Sequence, residues 1–263
     1  MKKHFLLVAA LVLVAAMLVG CTSEKTSLLD KIQKDKKVIV GTSADYPPYE
    51  FIDEAGNKTG FDIELMEEIA KRMGVELEWV DMPFDSLVAA VNSGKLDMSI
   101  SCFNYDEERD KTDDFSEAYY TTEDAFVVNS TFTGTIVNPE DVANYKVGVQ
   151  SGTVQDSWLT DNLVTPGLLP EANLSRYERV DQAALDLANN RIEVLMADYV
   201  PVQALVAQNP DLQVVFHAEL STGPINIVLP DGDAELKAEV DRIIKELQAE
   251  GFIDQLAVKY FSE

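Results

Sequence analysis

Arg109 stands alone among acids in the run Tyr-Asp-Glu-Glu-Arg-Asp, residues 105–110. Two chemistries are open to it. It can pair with Asp106 or Asp113 at the surface, a contact worth about 0–1 kcal/mol. Alternatively, its planar guanidinium can offer two parallel N–H donors to a carboxylate from outside the chain. Other reactive side chains are scarce. There are two histidines, His4 near the start and His217 in Val-Val-Phe-His-Ala-Glu-Leu. His217 alone cannot supply a histidine-rich metal site. Its flanks do not mark a Ser-His-Asp arrangement either. No metal, cofactor or catalytic residue is expected.

The chain begins MKKHFLLVAALVLVAAMLVGC, with two lysines before an apolar run from Phe5 to Leu18. A membrane-spanning helix needs roughly 20 apolar residues, and this run is shorter. A charged start, a short apolar core and small residues read as a secretory signal, residues 1–20. The ending Leu-Val-Gly-Cys is similar to the lipobox of bacterial lipoproteins. That resemblance implies cleavage before Cys21 and acylation of its sulfur, palmitate included. The remainder is then exported and held at the cell membrane, on its extracytoplasmic face. With Cys21 carrying lipid, Cys102 has no partner for a disulfide, even in an oxidising compartment. The net charge of −25 over 263 residues repels nucleic acid and anionic lipid, so nucleic-acid binding is set aside. A hydrophobic content of 46% suffices for one large domain or two lobes with separate cores.

The elements that must position Arg109 follow from periodicity. Residues 22–36 are polar with a brief Leu-Leu and read as a tether, in part helical. Val38–Thr42 is a short β-branched strand. Residues 60–74, GFDIELMEEIAKRMG, form the clearest helix. Ile63, Met66, Ile69, Ala70 and Met73 share one face, Asp62 is the expected N-cap, and Gly74 is the left-handed stop. A strand is expected over 75–80. Residues 84–102 can then be laid over 180–198. Each segment reads as amphipathic helix, polar turn, basic residue, aliphatic, acid and buried strand. This pattern suggests two lobes of related βα construction. Ligands of parallel α/β sheets collect at strand carboxyl ends. If the lobes face each other, Arg109 and Asp198 approach one cleft from opposite sides. The tail reads as two helices broken at Gly251.

These segments together resemble the extracellular solute-binding proteins (family 3) of polar amino-acid ABC transporters. The resemblance runs through VGTSADYPPYEF, GFDIELMEEIAKRM, WVDMPFDSLVAAVNSGKLDMSIS, DEERDKTDDFSEAYY, KVGVQSGT, RIEVLMADY and EGFIDQLAVKYF, in the family's order. It implies an α/β, two-lobed periplasmic-binding-protein-like fold (type II). Each lobe is a mixed sheet flanked by helices, with two crossing hinge segments near Thr-Thr-Glu-Asp-Ala-Phe and Ser-Thr-Gly-Pro-Ile-Asn. After a signal (1–20) and a lipid-anchored tether (21–36), lobe 1 comprises 37–123 and 223–263, and lobe 2 comprises 124–222. The resemblance places Arg109 and the backbone N–H groups of Thr153 and Val154 on a ligand α-carboxylate. It places Asp198 on the α-ammonium and Tyr46 and Phe84 about the side chain. Ser101, Cys102 and Asn104 line lobe 1. Ser43 stands where basic-amino-acid binders often carry aspartate, which favours a neutral or polar ligand. The implied protein is a monomer, not an enzyme, that hands a free amino acid to an ABC permease. A cyclohexadienyl dehydratase-like enzyme and a ligand-presenting sensor subunit are the alternatives.

Overall fold

The structure, a computed structural model, describes residues 27–262. The expected signal and the acylation expected at Cys21 lie outside the described residues. The chain starts with helix α1 (Leu28–Asp35), where a polar tether is expected. Ser27 caps it, Ile32 is buried, and the Leu28 N–H donates to Asp233 at 2.9 Å. The brief Leu-Leu is thus one turn of an amphipathic helix packed on the body.

Strand β1 (Lys37–Thr42) leads into a small sheet of β2 (Asp45–Tyr46), β3 (Glu50–Ile52) and β4 (Lys58–Thr59). Then follow α2 (Phe61–Met73), β5 (Glu76–Asp81), α3 (Phe84–Asn92), β6 (Met98–Asn104), a 3-10 turn (Arg109–Lys111), β7 (Asp113–Phe115) and β8 (Tyr120–Thr121). The chain crosses to β9 (Asp124–Asn129), β10 (Val147–Gln150), α4 (Val154–Leu159), β11 (Leu174–Tyr177), α5 (Val180–Ala188), β12 (Val194–Asp198), α6 (Tyr199–Gln208) and β13 (Leu212–Ala218). It returns through β14 (Pro224–Pro230) to α7 (Ala234–Ala249) and α8 (Phe252–Phe261).

Two mixed sheets result, ordered β5-β1-β6-β14-β7 (with β8 also on β14) and β11-β10-β12-β9-β13. In each, three parallel strands are followed by an antiparallel strand that comes directly after a crossing. The segments 84–102 and 180–198 occupy matching places, α3–β6 and α5–β12. The crossings are stitched together by Asp124. Its carboxylate accepts the backbone N–H groups of Leu220, Ser221 and Thr222 at 3.0, 2.7 and 3.0 Å.

The apolar face read for residues 60–74 is the buried face of α2, and Ile63, Met66, Ile69, Ala70 and Met73 are all in the core. Each large side chain so placed contributes about 1.5–3 kcal/mol. Asp62, however, is not the N-cap. Gly60 holds that position at φ 134° with no side-chain cap, and Asp62 turns inward. Gly60 is required for two reasons: only glycine readily adopts that φ, and a Cβ there would overlap the Tyr49 carbonyl. Gly60→Ala is therefore expected to destabilise the fold by about 3 kcal/mol or more, read by denaturant unfolding. A loss below about 1 kcal/mol would show that the loop relaxes freely.

Candidate functional site

The carboxyl ends of β1, β6, β10 and β12 converge on one cavity between the sheets. It is lined by Tyr46, Phe84, Ser101, Cys102, Asn104, Arg109, Thr153, Val154 and Asp198, so the structure brings together the nine residues expected to bind ligand. It is also lined by Ser43, Asp45, Glu50, Gln150 and Gln155. Its empty volume, open solvent at the mouth included, is about 320 Å³.

Arg109 reaches the cavity because its acidic neighbours do other work. Asp106 accepts the Arg109 backbone N–H at 2.8 Å, which caps the 3-10 turn, and Asp113 is engaged by Thr112 Oγ1 at 2.8 Å. No carboxylate holds the guanidinium among the described residues. It donates instead to the Gly152 carbonyl of the facing lobe and lies 5.8 and 6.0 Å from the Phe84 and Phe103 ring centroids. The two rings, tilted by 30° with centroids 4.6 Å apart, form an aromatic platform for the cation. Burial lowers the guanidinium's affinity for its proton, while Asp106 and Asp113 oppose that shift.

Asp198 ends β12 and occupies the N-cap position of α6, yet its carboxylate does not cap that helix. It is buried. Oδ2 accepts Tyr46 Oη–H at 2.6 Å and Gln155 Nε2–H at 3.2 Å, and Tyr46 Oη accepts the Asp198 N–H at 2.8 Å. Oδ1 is buried without a donor. Burial pushes the carboxyl up to about 7, against the lowering effect of the Tyr46 bond. Tyr46 thus spans the cleft through its hydroxyl, a contact that the aromatic role expected for it does not anticipate.

The floor is set by β6. Between Ser99 and Phe103 this strand falls out of register with β14, and Cys102 adopts φ 46°. Bulges of this kind re-aim side chains beside functional sites. The Cys102 N–H leaves the ladder for Asp62 Oδ2 at 2.7 Å, and Ser101 Oγ donates to Glu50 Oε1 at 2.7 Å. Cys102 is a buried free thiol, and Asn104 Nδ2 has no acceptor. On the facing lobe, Thr153 caps α4 by accepting the Asp156 N–H at 3.2 Å and donates Oγ1–H to the Gln150 carbonyl at 2.9 Å. The first N–H groups of α4 have no partner within the helix.

Asp45, Glu50, Gln150 and Gln155 escaped the sequence reading. Their signal was proximity, since each lies within four residues of Tyr46 or Val154. Asp45 also crosses the cleft. It accepts Ser43 Oγ–H at 2.6 Å, the Val180 N–H at 2.6 Å and Gln150 Nε2–H at 3.3 Å, with Arg179 at 3.7 Å. Burial still raises it to about 6.

The site's acids Asp45, Glu50, Asp62 and Asp198 therefore hold protons more tightly folded than unfolded, with burial the largest cause in each. Between about pH 4 and 7 the folded chain binds more protons than the unfolded chain, so stability falls as pH rises through that window. The melting temperature is expected to be higher at pH 5 than at pH 7.5, with a free-energy difference on the order of a few kcal/mol. A melting point that climbs steadily from pH 5 to 7.5 would contradict it.

The fold and cleft define a two-lobed α/β binding protein of the periplasmic-binding-protein type, closed over a small polar site. The chain matches the bacterial extracellular solute-binding proteins, family 3, over residues 38–263, and it belongs to that family. It is 30% identical to a probable histidine-binding protein of Campylobacter jejuni, across 98% of both chains. It is 31% identical to the arginine-binding extracellular protein ArtP of Bacillus subtilis, across 100% of this chain and 99% of that one. A crystal structure of a mutant of ArgBP from T. maritima superposes with a TM-score of 0.82 at 35% identity, covering 90% of this chain and 100% of that one. Among the described residues no helix is long and apolar enough to cross a membrane.

Proposed function

We propose that this protein binds a free amino acid as a zwitterion and delivers it to an ABC permease. One observation carries the reading. A single cavity is lined by a guanidinium that no carboxylate engages and by a buried carboxylate with one oxygen lacking a donor. Buried charges are tolerable when paired and hydrogen-bonded, and an α-carboxylate on Arg109 with an α-ammonium on Asp198 meets that condition. The N–H groups of Thr153 and Val154 add donors to the carboxylate. Tyr46 and Phe84 flank the ligand, and Ser101, Cys102 and Asn104 form its floor. Lobe 1, residues 37–123 with 223–263, and lobe 2, residues 124–222, close on the ligand by population shift. The relatives named above are binding proteins, which supports a carrier over an enzyme. The carrier acts as a monomer, held at the membrane through acylated Cys21.

The side chain is polar, neutral and rich in donors. Ser43, Glu50, Ser101 and Gln150 offer acceptors, while Asp45 already has Arg179 beside it and two N–H donors besides Ser43. Asp45 and Glu50 disfavour an acidic side chain. A thermal-shift screen of the common amino acids on the purified protein tests this. The true ligand stabilises by about 2.7 kcal/mol at one hundred times its dissociation constant, and aspartate and glutamate give no shift. A flat response to every amino acid removes the reading.

A further inference from the structure

Beneath the cavity, two carboxyl groups meet with no cation between them. Glu50 of β3 and Asp62 in the first turn of α2 are both buried, at 1% and 0% exposure, and are held side by side by the adjacent residues Ser101 and Cys102 of β6. One oxygen of each is fixed by other donors. Glu50 Oε1 accepts Ser101 Oγ–H at 2.7 Å. Asp62 Oδ2 accepts the Cys102 N–H at 2.7 Å and Tyr119 Oη–H at 2.9 Å. The second oxygens, Glu50 Oε2 and Asp62 Oδ1, are buried with no hydrogen-bond partner. Two ionised carboxylates in this arrangement would repel at short range in a poorly screened interior. A carboxylic acid donating to a carboxylate satisfies both orphan oxygens with one proton.

The division of roles follows from the surroundings. Asp62 accepts two further donors and stands at the positive end of a 13-residue helix, so it carries the charge. Glu50 carries the proton: burial, then Asp62, raises it well above the usual carboxylate range. The groups facing the pair are Asp45 from β2, Tyr49 ahead of β3, Ser101 and Cys102 from β6, and Tyr119 ahead of β8. None is a cation. Glu50 lines the cavity and Asp62 does not.

We propose that Glu50 and Asp62 hold one proton between them, and that this proton sets the charge the pocket shows to a ligand side chain. With the proton in place, the pair's single negative charge rests on Asp62, behind the floor, and Glu50 presents a neutral carboxyl. A cationic side chain seated against Glu50 displaces the proton. The Glu50 O–H bond breaks, the proton leaves to solvent, and the new carboxylate pairs with the cation, so one positive charge enters as one departs. A neutral side chain leaves the proton where it is. The ligand half of this proposal rests on the amino-acid reading above; the shared proton does not.

Infrared spectroscopy of the protein without added ligand tests the proton directly. At pH 8, where Asp45 and Asp198 are mostly ionised, a protonated-carboxyl stretch is expected, and Glu50→Gln removes it. Asp62→Asn provides a second variant, with circular dichroism as the check on folding for both. A spectrum without that stretch overturns the proposal whatever the ligand. Calorimetry with L-arginine and L-glutamine, each in two buffers of different ionisation enthalpy, tests the consequence. Arginine is expected to release up to one proton per site, with affinity rising by up to about tenfold per pH unit between pH 6 and 8. Glutamine is expected to release only the fraction of a proton that Asp198 still holds at the working pH, a fraction common to both ligands, so the excess of arginine over glutamine is the reading. Arginine release that does not exceed glutamine release, or an excess that persists in Glu50→Gln, overturns the coupling. Failure of both probes to bind defeats the amino-acid reading and the ligand half together, while the infrared result still decides the proton.

Discussion

Arg109→Ala is expected to lose amino-acid binding by on the order of 2–5 kcal/mol, roughly 30-fold to several thousand-fold in affinity. The size of the loss reflects what stays behind, because a ligand carboxylate would enter a small, largely closed cavity with its main cation gone. The fold is expected to survive. The guanidinium makes one hydrogen bond to the Gly152 carbonyl and rests on Phe84 and Phe103, and no ion pair depends on it. Arg109→Lys keeps the charge but not the pair of parallel donors, so it should recover only a part of the loss. Calorimetry decides the matter, with thermal melting of each variant as the control. Near-native affinity in the alanine variant would take Arg109 out of the binding site.

Asp198→Asn is expected to move stability and affinity in opposite directions. Above pH 7 the folded protein holds a buried carboxylate that burial disfavours, and one of its oxygens lacks a donor. Asparagine has the same shape and keeps an acceptor for Tyr46 and Gln155 without the charge. The variant should therefore unfold less readily at pH 8, by about 1–2 kcal/mol, and the stabilisation should shrink as pH falls through 7 and vanish below about pH 4, where the unfolded acid is protonated as well. Ligand affinity should fall by about 2–5 kcal/mol, because the α-ammonium loses its counter-charge. A residue retained only for structure would not show this opposition. Lower stability together with unchanged affinity would assign Asp198 to scaffolding.

What the sequence disclosed follows physical scale. Helix α2 was legible because thirteen residues repeat their apolar face often enough to outweigh noise, and α7 and α8 were legible on either side of Gly251 for the same reason. The pairing of α3–β6 with α5–β12 was visible as pattern and recurs as equivalent positions in two sheets. Arg109 and Asp198 stood out because one lies just past a strand long enough to read and the other ends one. Asp45 and Glu50 were not, since β2 and β3 span two and three residues and carry no periodicity. Asp62 was read as a cap from local rules. Its actual partners, Cys102 and Tyr119, lie 40 and 57 residues away, and only the bulge in β6 brings the Cys102 N–H to it. The docking of α1 was obscured in the same way, because its contacts with Met73, Asp97 and Asp233 are all distant in sequence.

Helix α5 has no side-chain cap of its own. Arg179 occupies the capping position, and the Val180 N–H is satisfied by Asp45, which belongs to the other half of the molecule. Swinging the halves apart therefore does more than widen a gap: it strips a helix of its first anchor, a loss of about 1 kcal/mol, and leaves that amide to water. A form with the halves parted would leave that first turn without its anchor. Deuterium uptake at Val180 is therefore expected to report how often the halves part.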